Sequence, residues 1–186
     1  MAVIYPKSYF KNKTPFEIAL WYEKNYARLE GSCIATNSDD LISNIIQTVT
    51  KRFSRLNGFI PSHIGSIVNR EGVLYVFDMK PTKAKLTPLY DYITSSDDDF
   101  VIVIREFLLN AHDFSKDILK LDGVNYGYFS ALQCAFKSIS WIPNRKLHCS
   151  EIHPLMLQKQ GYFNGVKCDD LTPVECYEKL IMDEVY

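Results

Sequence analysis

Ser62-His63-Ile64-Gly65-Ser66-Ile67-Val68-Asn69-Arg70-Glu71-Gly72-Val73-Leu74-Tyr75-Val76-Phe77-Asp78-Met79 sets the architecture of this chain. Two apolar runs, His63 to Val68 and Val73 to Met79, flank Asn69-Arg70-Glu71-Gly72, a composition suited to the turn of an antiparallel pair. The stretch predicts a β-hairpin. Two of its residues do not fit a purely structural strand pair. His63 stands among small neighbours, Ser62, Gly65 and Ser66, which leave room for another backbone or a substrate to approach. Asp78 follows the apolar run Leu74-Tyr75-Val76-Phe77, where a carboxylate is costly unless something pairs with it. A hairpin sets the two strands side by side, so Asp78 can orient the His63 imidazole and stabilise its protonated form. The alternative for Asp78 is an edge position with a solvated carboxylate.

Downstream of the hairpin, a short strand is expected from Lys83 to Leu86, then one helical turn in Pro88-Leu89-Tyr90-Asp91-Tyr92-Ile93. Ser95 to Asp99 reads as an exposed acidic loop, and Phe100 to Arg105 as a strand centred on Val-Ile-Val-Ile. Upstream, Thr14-Pro15-Phe16-Glu17 is a capping box with proline at the first helical position. Its helix should reach about Leu29 and stop at Gly31. Ser32 to Thr36 fits a buried strand. Ser38-Asp39-Asp40 caps a second helix, with Leu41, Ile45, Ile46 and Val49 facing inward. Further helices are expected from His112 to Leu121, Tyr126 to Phe136, Cys149 to Lys159 and Pro173 to Met182. With no internal repeat and no low-complexity tract, the chain reads as an α+β domain, a small, mostly antiparallel sheet flanked by helices.

The 186 residues, 47% hydrophobic and 23% charged, are enough for one domain with a substantial core. A net charge of −1 supplies no field to steer nucleic acid or an anionic membrane, which argues against both as partners. The basic runs Lys11-Asn12-Lys13 and Lys80 to Lys85 read as solvated surface. Five cysteines, Cys33, Cys134, Cys149, Cys168 and Cys176, form an odd set without a CxxC pair. That argues against a disulfide framework and for a reducing compartment. Met1-Ala2-Val3-Ile4-Tyr5-Pro6-Lys7 lacks the apolar region of a secretory signal, and no run approaches the ~20 apolar residues of a membrane span. The expectation is a soluble protein made in the cytoplasm without a signal peptide or transmembrane segment.

Cys149-Ser150-Glu151 carries the chemistry. It follows the loop Pro143-Asn144-Arg145-Lys146 and opens an apolar-periodic stretch through Ile152, Leu155 and Met156. A thiol in the first turn of a helix meets unpaired backbone N–H groups and the positive end of the macrodipole. Such settings lower a thiol pKa from about 8.5 into the range of about 3.5–7.5. The same N–H groups can hold the oxyanion formed when a thiolate attacks a carbonyl. The thiolate is then the nucleophile, and a nearby imidazole takes and returns a proton. Cys33, Cys134 and Cys176 read instead as buried small hydrophobes, and Cys168, in a polar loop, as an exposed thiol. His148 and His153 flank Cys149, and with Glu151 and Cys168 they suggest a metal site. Structural zinc sites draw paired ligands from two places, and no second pair is present. His153 as the base is disfavoured because residue i+4 lies alongside the thiol, not across a cleft. Glu151 reads as a first-turn acid complementing the dipole. Aromatics such as Tyr22, Tyr26, Tyr128 and Trp141 fit core filling or a lined cleft equally.

In order and motifs the chain resembles the circularly permuted NlpC-type papain-like hydrolases, the YiiX-like group. The residues that carry the resemblance are Ser62-His63-Ile64-Gly65, Asp78, Gly123-Val124-Asn125-Tyr126-Gly127 and Cys149-Ser150-Glu151. Pro88-Leu89-Tyr90-Asp91-Tyr92-Ile93 and Leu171-Thr172-Pro173 match two smaller elements of that pattern. The likeness runs from roughly Glu30 to Leu180. It implies a permuted papain-like fold whose nucleophile helix comes late in the sequence. It also implies Cys149 as nucleophile, His63 as base and acid, Asp78 as orienting acid, and Tyr126 and Ser150 at the substrate or oxyanion position. The family acid is more usually Glu, so contact of the shorter Asp78 with His63 depends on backbone placement. Residues 1–30 have no counterpart in the pattern and read as an N-terminal helical extension that covers part of the cleft or binds a partner.

The expectation is therefore a cofactor-free cysteine hydrolase or acyl transferase with a peptide, lipid or other small-molecule substrate, cleaving an amide or ester. The resemblance suggests a peptidoglycan peptide or an acyl lipid. The alternative is a non-catalytic papain-like binding or assembly module, for instance in a virus or phage particle.

Overall fold

A computed structural model describes residues 2–37, 41–51, 54–55, 58–79, 84–104, 110–124 and 147–182. Six strands, β1 (Val3–Pro6), β2 (Cys33–Asn37), β3 (His63–Arg70), β4 (Val73–Met79), β5 (Ala84–Pro88) and β6 (Asp99–Ile104), form one sheet. Their order is β1-β6-β2-β3-β4-β5, and every neighbouring pair is antiparallel. The helices among the described residues are α1 (Lys7–Phe10), α2 (Pro15–Leu29), α3 (Leu41–Thr50), α4 (Leu89–Ser95), α5 (Ala111–Leu119), α6 (Cys149–Gln158) and α7 (Pro173–Ile181). The fold is α+β, as the alternating and helical patterns of the sequence imply.

Strand alternation divides the core in two. Cys33, Ala35, Ile64, Val68, Phe77, Val101 and Val103 point to one face, where Phe114 and Ile118 of α5, Ile152 and Met156 of α6, and Tyr177 and Leu180 of α7 cover them. Ile34, Ile67, Leu74, Val76, Phe100 and Ile102 point to the other, beneath Phe10 of α1, Ile18, Trp21 and Leu29 of α2, and Leu89 and Ile93 of α4. Burying both faces makes the central strands apolar on consecutive residues, and Phe100-Val101-Ile102-Val103-Ile104 is the clearest case.

The hairpin is tighter than expected. Arg70 faces Val73 and Asn69 faces Leu74, so Asn69 and Arg70 belong to β3. Only Glu71 and Gly72 turn, with φ of 54° and 82°, the positive pair that a two-residue hairpin loop requires. The Asn69 Oδ1 accepts from the Gly72 N–H at 3.0 Å and locks the turn.

Residues 1–30 require a correction. They are not a purely helical extension, because Val3–Pro6 is an edge strand paired with β6, Val3 facing Ile104. Four residues carry too short a pattern to announce a strand. The helix α2 behaves as its signals imply. Thr14 accepts from the Glu17 N–H at 3.3 Å and Glu17 Oε2 accepts from the Thr14 N–H at 2.8 Å. Its buried residues Ile18, Trp21 and Leu29 pack on the face of the sheet opposite α6. Two turns of helix, α4, replace the single turn expected after Pro88, and Asp99 starts β6 where the acidic loop was expected to end. The expected helix from Tyr126 to Phe136 and the cap Ser38-Asp39-Asp40 lie outside the described residues.

Candidate functional site

His63 is the first residue of β3. Its neighbour Ser62 is tied down, because the Ser62 N–H donates to the Thr36 carbonyl at 2.9 Å, and Thr36 is the β2 residue facing His63. The last rung of the β3–β4 ladder joins Ser66 to Phe77. Continued by one residue, that register sets Gly65 opposite Asp78 and makes His63 the diagonal neighbour of Asp78, on the same side of the pleat. Gly65 is needed there for space. A Cβ at this position would stand 2.9 Å from Cγ2 of Ile34 and 3.1 Å from the Phe77 carbonyl oxygen. Across this glycine the His63 Nε2 meets the Asp78 Oδ1 in a short charge-assisted contact. Asp78 is 2% exposed, so it is not the solvated edge carboxylate of the alternative reading.

Cys149 opens α6 from the loop side, and its side chain hydrogen-bonds the His63 ring. The structure thus brings Cys149, His63 and Asp78 together. Burial alone would lower the His63 pKa. The Asp78 carboxylate, and then the Cys149 thiolate, outweigh that and lift it to about 10. Burial pushes the Cys149 thiol up, but the His63 charge and hydrogen bonds from His148 and His63 hold it well below the ordinary thiol range. Both shifts run toward a thiolate–imidazolium pair. Cys149 is 3% exposed, so its sulfur sits in a desolvated setting where these charges act strongly.

The other sequence candidates fall as follows. Ser150 is buried, and its Oγ donates to the Leu171 carbonyl at 2.6 Å while lying 3.0 Å from Nδ1 of His148. Its hydroxyl is committed to the protein, which leaves its backbone N–H, in the first turn of α6, as its group for an oxyanion. Tyr126 lies outside the described residues, as does Cys134. His153 is buried with Nδ1 2.9 Å from Ser66 Oγ and its ring against Phe114 at 5.6 Å between centroids. Burial pushes its pKa down to about 3, and its Nε2 has no hydrogen-bond partner among the described residues. It is a neutral packing residue, as its helical offset from Cys149 suggests. Cys33 and Cys176 are fully buried, and burial raises both thiols.

Cys168 is a correction. It was expected to be an exposed thiol, yet it is 5% exposed in a 3-10 turn, Cys168–Asp170. Its Sγ turns inward to Oε1 of Gln158 at 3.7 Å and the Val166 carbonyl at 3.8 Å. Polar neighbours in sequence concealed that inward turn. Burial, with the carboxylates of Glu151 and Asp169, raises its pKa to about 11.

Two features near the site were not anticipated. Tyr92 of α4 has a buried hydroxyl close to Thr36 and Ser96, and burial followed by the nearby Asp78 charge raises its pKa. A polar cavity of about 570 Å3 opens at the same end of the sheet, lined by Asn37, Asn44, Gln47, Thr48 and Lys51 among others. Asn37 directly follows the residue that faces His63, and Phe59 and Ile60 bring the chain from the cavity to β3. Among the described residues no group of three or more His, Cys, Asp or Glu side chains is gathered as metal ligands. No helix among them is long and apolar enough to cross a membrane. No protein-family model matches the chain, and no curated protein matches its sequence.

Proposed function

We propose that this chain is a cysteine hydrolase or acyl transferase of the permuted papain-like, NlpC type, acting on an amide or ester bond. The observation that carries the reading is the Cys149 side chain bonded to an imidazole that Asp78 in turn holds. Each partner does what the chemistry requires. The Cys149 thiolate attacks the carbonyl carbon, forming a C–S bond and an oxyanion that the N–H groups of Cys149 and Ser150 can receive. His63, protonated and oriented by Asp78, gives its proton to the leaving amine or alkoxide as the C–N or C–O bond breaks. Water, or another acceptor, then gives a proton to His63 and attacks the thioester. The acid or transferred acyl product leaves, and the thiolate returns. The cavity that Asn37, Asn44, Gln47 and Thr48 help to line begins one residue along β2 from the partner of His63, and it supports a substrate with many hydrogen-bonding groups, such as a peptidoglycan peptide, over a bare acyl chain.

The test is thiolate formation at Cys149, followed by ultraviolet absorbance with Cys149→Ala as the blank and by alkylation with each cysteine read by mass spectrometry. The expected result is a thiolate persisting well below pH 8 and lost from that range in His63→Ala, with cleavage of amide or ester substrates by the wild type. A Cys149 that ionises only above pH 8 in both proteins overturns the reading and leaves a non-catalytic assembly module in its place.

A further inference from the structure

The chemistry proposed for Cys149 gives residues 1–30 no task. They build most of a second cavity, of about 670 Å3, between α1, α2 and α4. That volume lies within the roughly 300–1,000 Å3 of small-molecule sites. Its floor is apolar. Phe10, Ile18 and Ile93 line it, and all three belong to the core cluster on one side of the sheet, whereas Cys149 belongs to the cluster on the other.

Around that floor the lining is cationic. Lys7, Lys11 and Lys13 border the cavity, and Asp99 is the one acid among the described residues that line it. The first 16 residues hold these three lysines and no Asp or Glu. The Lys7 Nζ donates to the backbone oxygens of Asp97 and Asp98 at 3.0 Å each, which fixes the ammonium beside the cavity and leaves its third N–H. The Lys13 Nζ stands 4.6 Å from the centre of the Tyr9 ring. The Lys13 charge reaches Glu17, but that carboxylate is held by the Thr14 N–H and hydroxyl at 2.8 Å each. An apolar floor bordered by three ammonium groups is complementary to a ligand with an apolar body and an anionic head. Burial of methylenes drives such binding, and charge-assisted hydrogen bonds fix the head.

We propose that this cavity binds a single-chain anionic amphiphile. Its chain lies on Phe10, Ile18 and Ile93, and its carboxylate or phosphate meets Lys11, Lys13 and the remaining N–H of Lys7. The site shares no residue with the Cys149 machinery, so it stands or falls apart from the hydrolase reading. Asp99 lines both this cavity and the polar one near His63, so the two adjoin at one end of the sheet.

Isothermal titration calorimetry of the full chain tests this, with decanoate, decyl phosphate, decanol and inorganic phosphate as probes and each amphiphile kept below its micelle-forming concentration. Decanoate or decyl phosphate should bind about tenfold or more tightly than decanol or inorganic phosphate, and the tighter of the two names the head group. Octanoate should bind about tenfold more weakly than decanoate, the loss of two methylenes from an apolar wall. Lys11→Ala combined with Lys13→Ala should weaken decanoate about tenfold and leave decanol binding and the midpoint of Cys149 ionisation unchanged. Trp21 packs on Phe10 at 4.8 Å between ring centroids, so its emission, read in Trp141→Phe, should change as the cavity fills. Cys149→Ala should bind decanoate as the wild type does. Loss of binding there would put the ligand at the nucleophile and overturn the proposal. Decanol binding as tightly as decanoate would reduce the site to an apolar hollow and overturn it too. So would inorganic phosphate matching decyl phosphate, which leaves an anion patch, or capture by anionic vesicles without binding of either anionic probe, which leaves a membrane surface. No heat and no Trp21 change with any probe overturns it outright.

Discussion

The first turns of α6 and α7 make a controlled comparison within one molecule. Each helix packs on the same face of the sheet, and each places a cysteine in the same apolar cluster, Cys149 at the start of α6 and Cys176 one turn into α7. Both thiols are buried, and burial raises the pKa of each. The α7 cap is Thr172, whose Oγ1 accepts from the Glu175 N–H at 3.1 Å, and the ionisable side chains that bear on Cys176 are mostly other thiols. At α6 the cap is a histidine, and a second histidine reaches over from β3. Cys176 ends well above the ordinary thiol range and Cys149 well below it. Burial therefore does not make a reactive cysteine. The imidazoles beside Cys149 lower its pKa, and a buried setting strengthens their effect.

The largest expected break in that comparison is kinetic. Cys149→Ala should lower amide or ester cleavage by on the order of 10^3-fold or more, while Cys176→Ala changes it only a few-fold. Equal losses in both would mean that the contrast between the two thiols has no bearing on chemistry. Next in size is Asp78→Asn. With His63 lifted to about 10, wild-type cleavage should persist into alkaline solution and fall as His63 loses its proton. Without the carboxylate that limb should move toward the ordinary histidine value of about 6.5, costing roughly tenfold to a hundredfold near pH 8. A pH–rate profile that keeps its alkaline limb in Asp78→Asn would remove Asp78 from the account.

A smaller effect sharpens the geometry. Gly65→Ala forces a methyl against the Ile34 side chain and the Phe77 carbonyl, and should destabilise the fold by about 1–3 kcal/mol in urea unfolding. Because Gly65 lies under the His63–Asp78 contact, the variant should also raise the Cys149 midpoint and leave Cys176 unchanged.

The effect confined to the narrowest conditions concerns His153, the imidazole equivalent of Cys176, buried without a charged partner. Its folded pKa of about 3 lies below the ordinary value. The unfolded chain therefore takes up the proton first, and stability present above about pH 6.5 is lost as pH falls through about 3, by at most ~1.4 kcal/mol per pH unit. His153→Gln should flatten that acid limb. His63 has the opposite sign. Its folded pKa of about 10 gives stability that is full below about 6.5 and lost as pH rises through 10. Unfolding free energies measured across pH in His63→Ala and His153→Gln separate the two.

The parts of this molecule that were legible in the sequence are those fixed by neighbouring residues. The capping box at Thr14, the helix opening at Pro173, a turn within Asn69-Arg70-Glu71-Gly72 and the apolar run of β6 are local signals, and each element forms there, the turn narrowed to Glu71-Gly72. The meeting of His63 with Asp78 was legible because a hairpin is a short-range structure with a fixed register. Long-range contacts were not. The strand β1 exists because β6 offers an unpaired edge far along the chain. The inward turn of Cys168 depends on Gln158, and the seating of His148 beside Cys149 depends on Asp169 and on Ser150, whose hydroxyl the Leu171 carbonyl holds. A histidine directly before a helix-opening cysteine is the one sequence mark that pointed to this last feature.

The chain order of the site has a consequence during synthesis. His63 and Asp78 lie on a hairpin of short loop, which can form within microseconds of leaving the ribosome. Cys149 follows far behind, and its helix must dock on a sheet that itself waits for β6. A nascent chain therefore carries a waiting histidine and carboxylate, while its thiols remain ordinary. On the proposed mechanism the Cys149 thiol is set to ionise at neutral pH only when α6 seats, which makes its alkylation a late marker of complete folding.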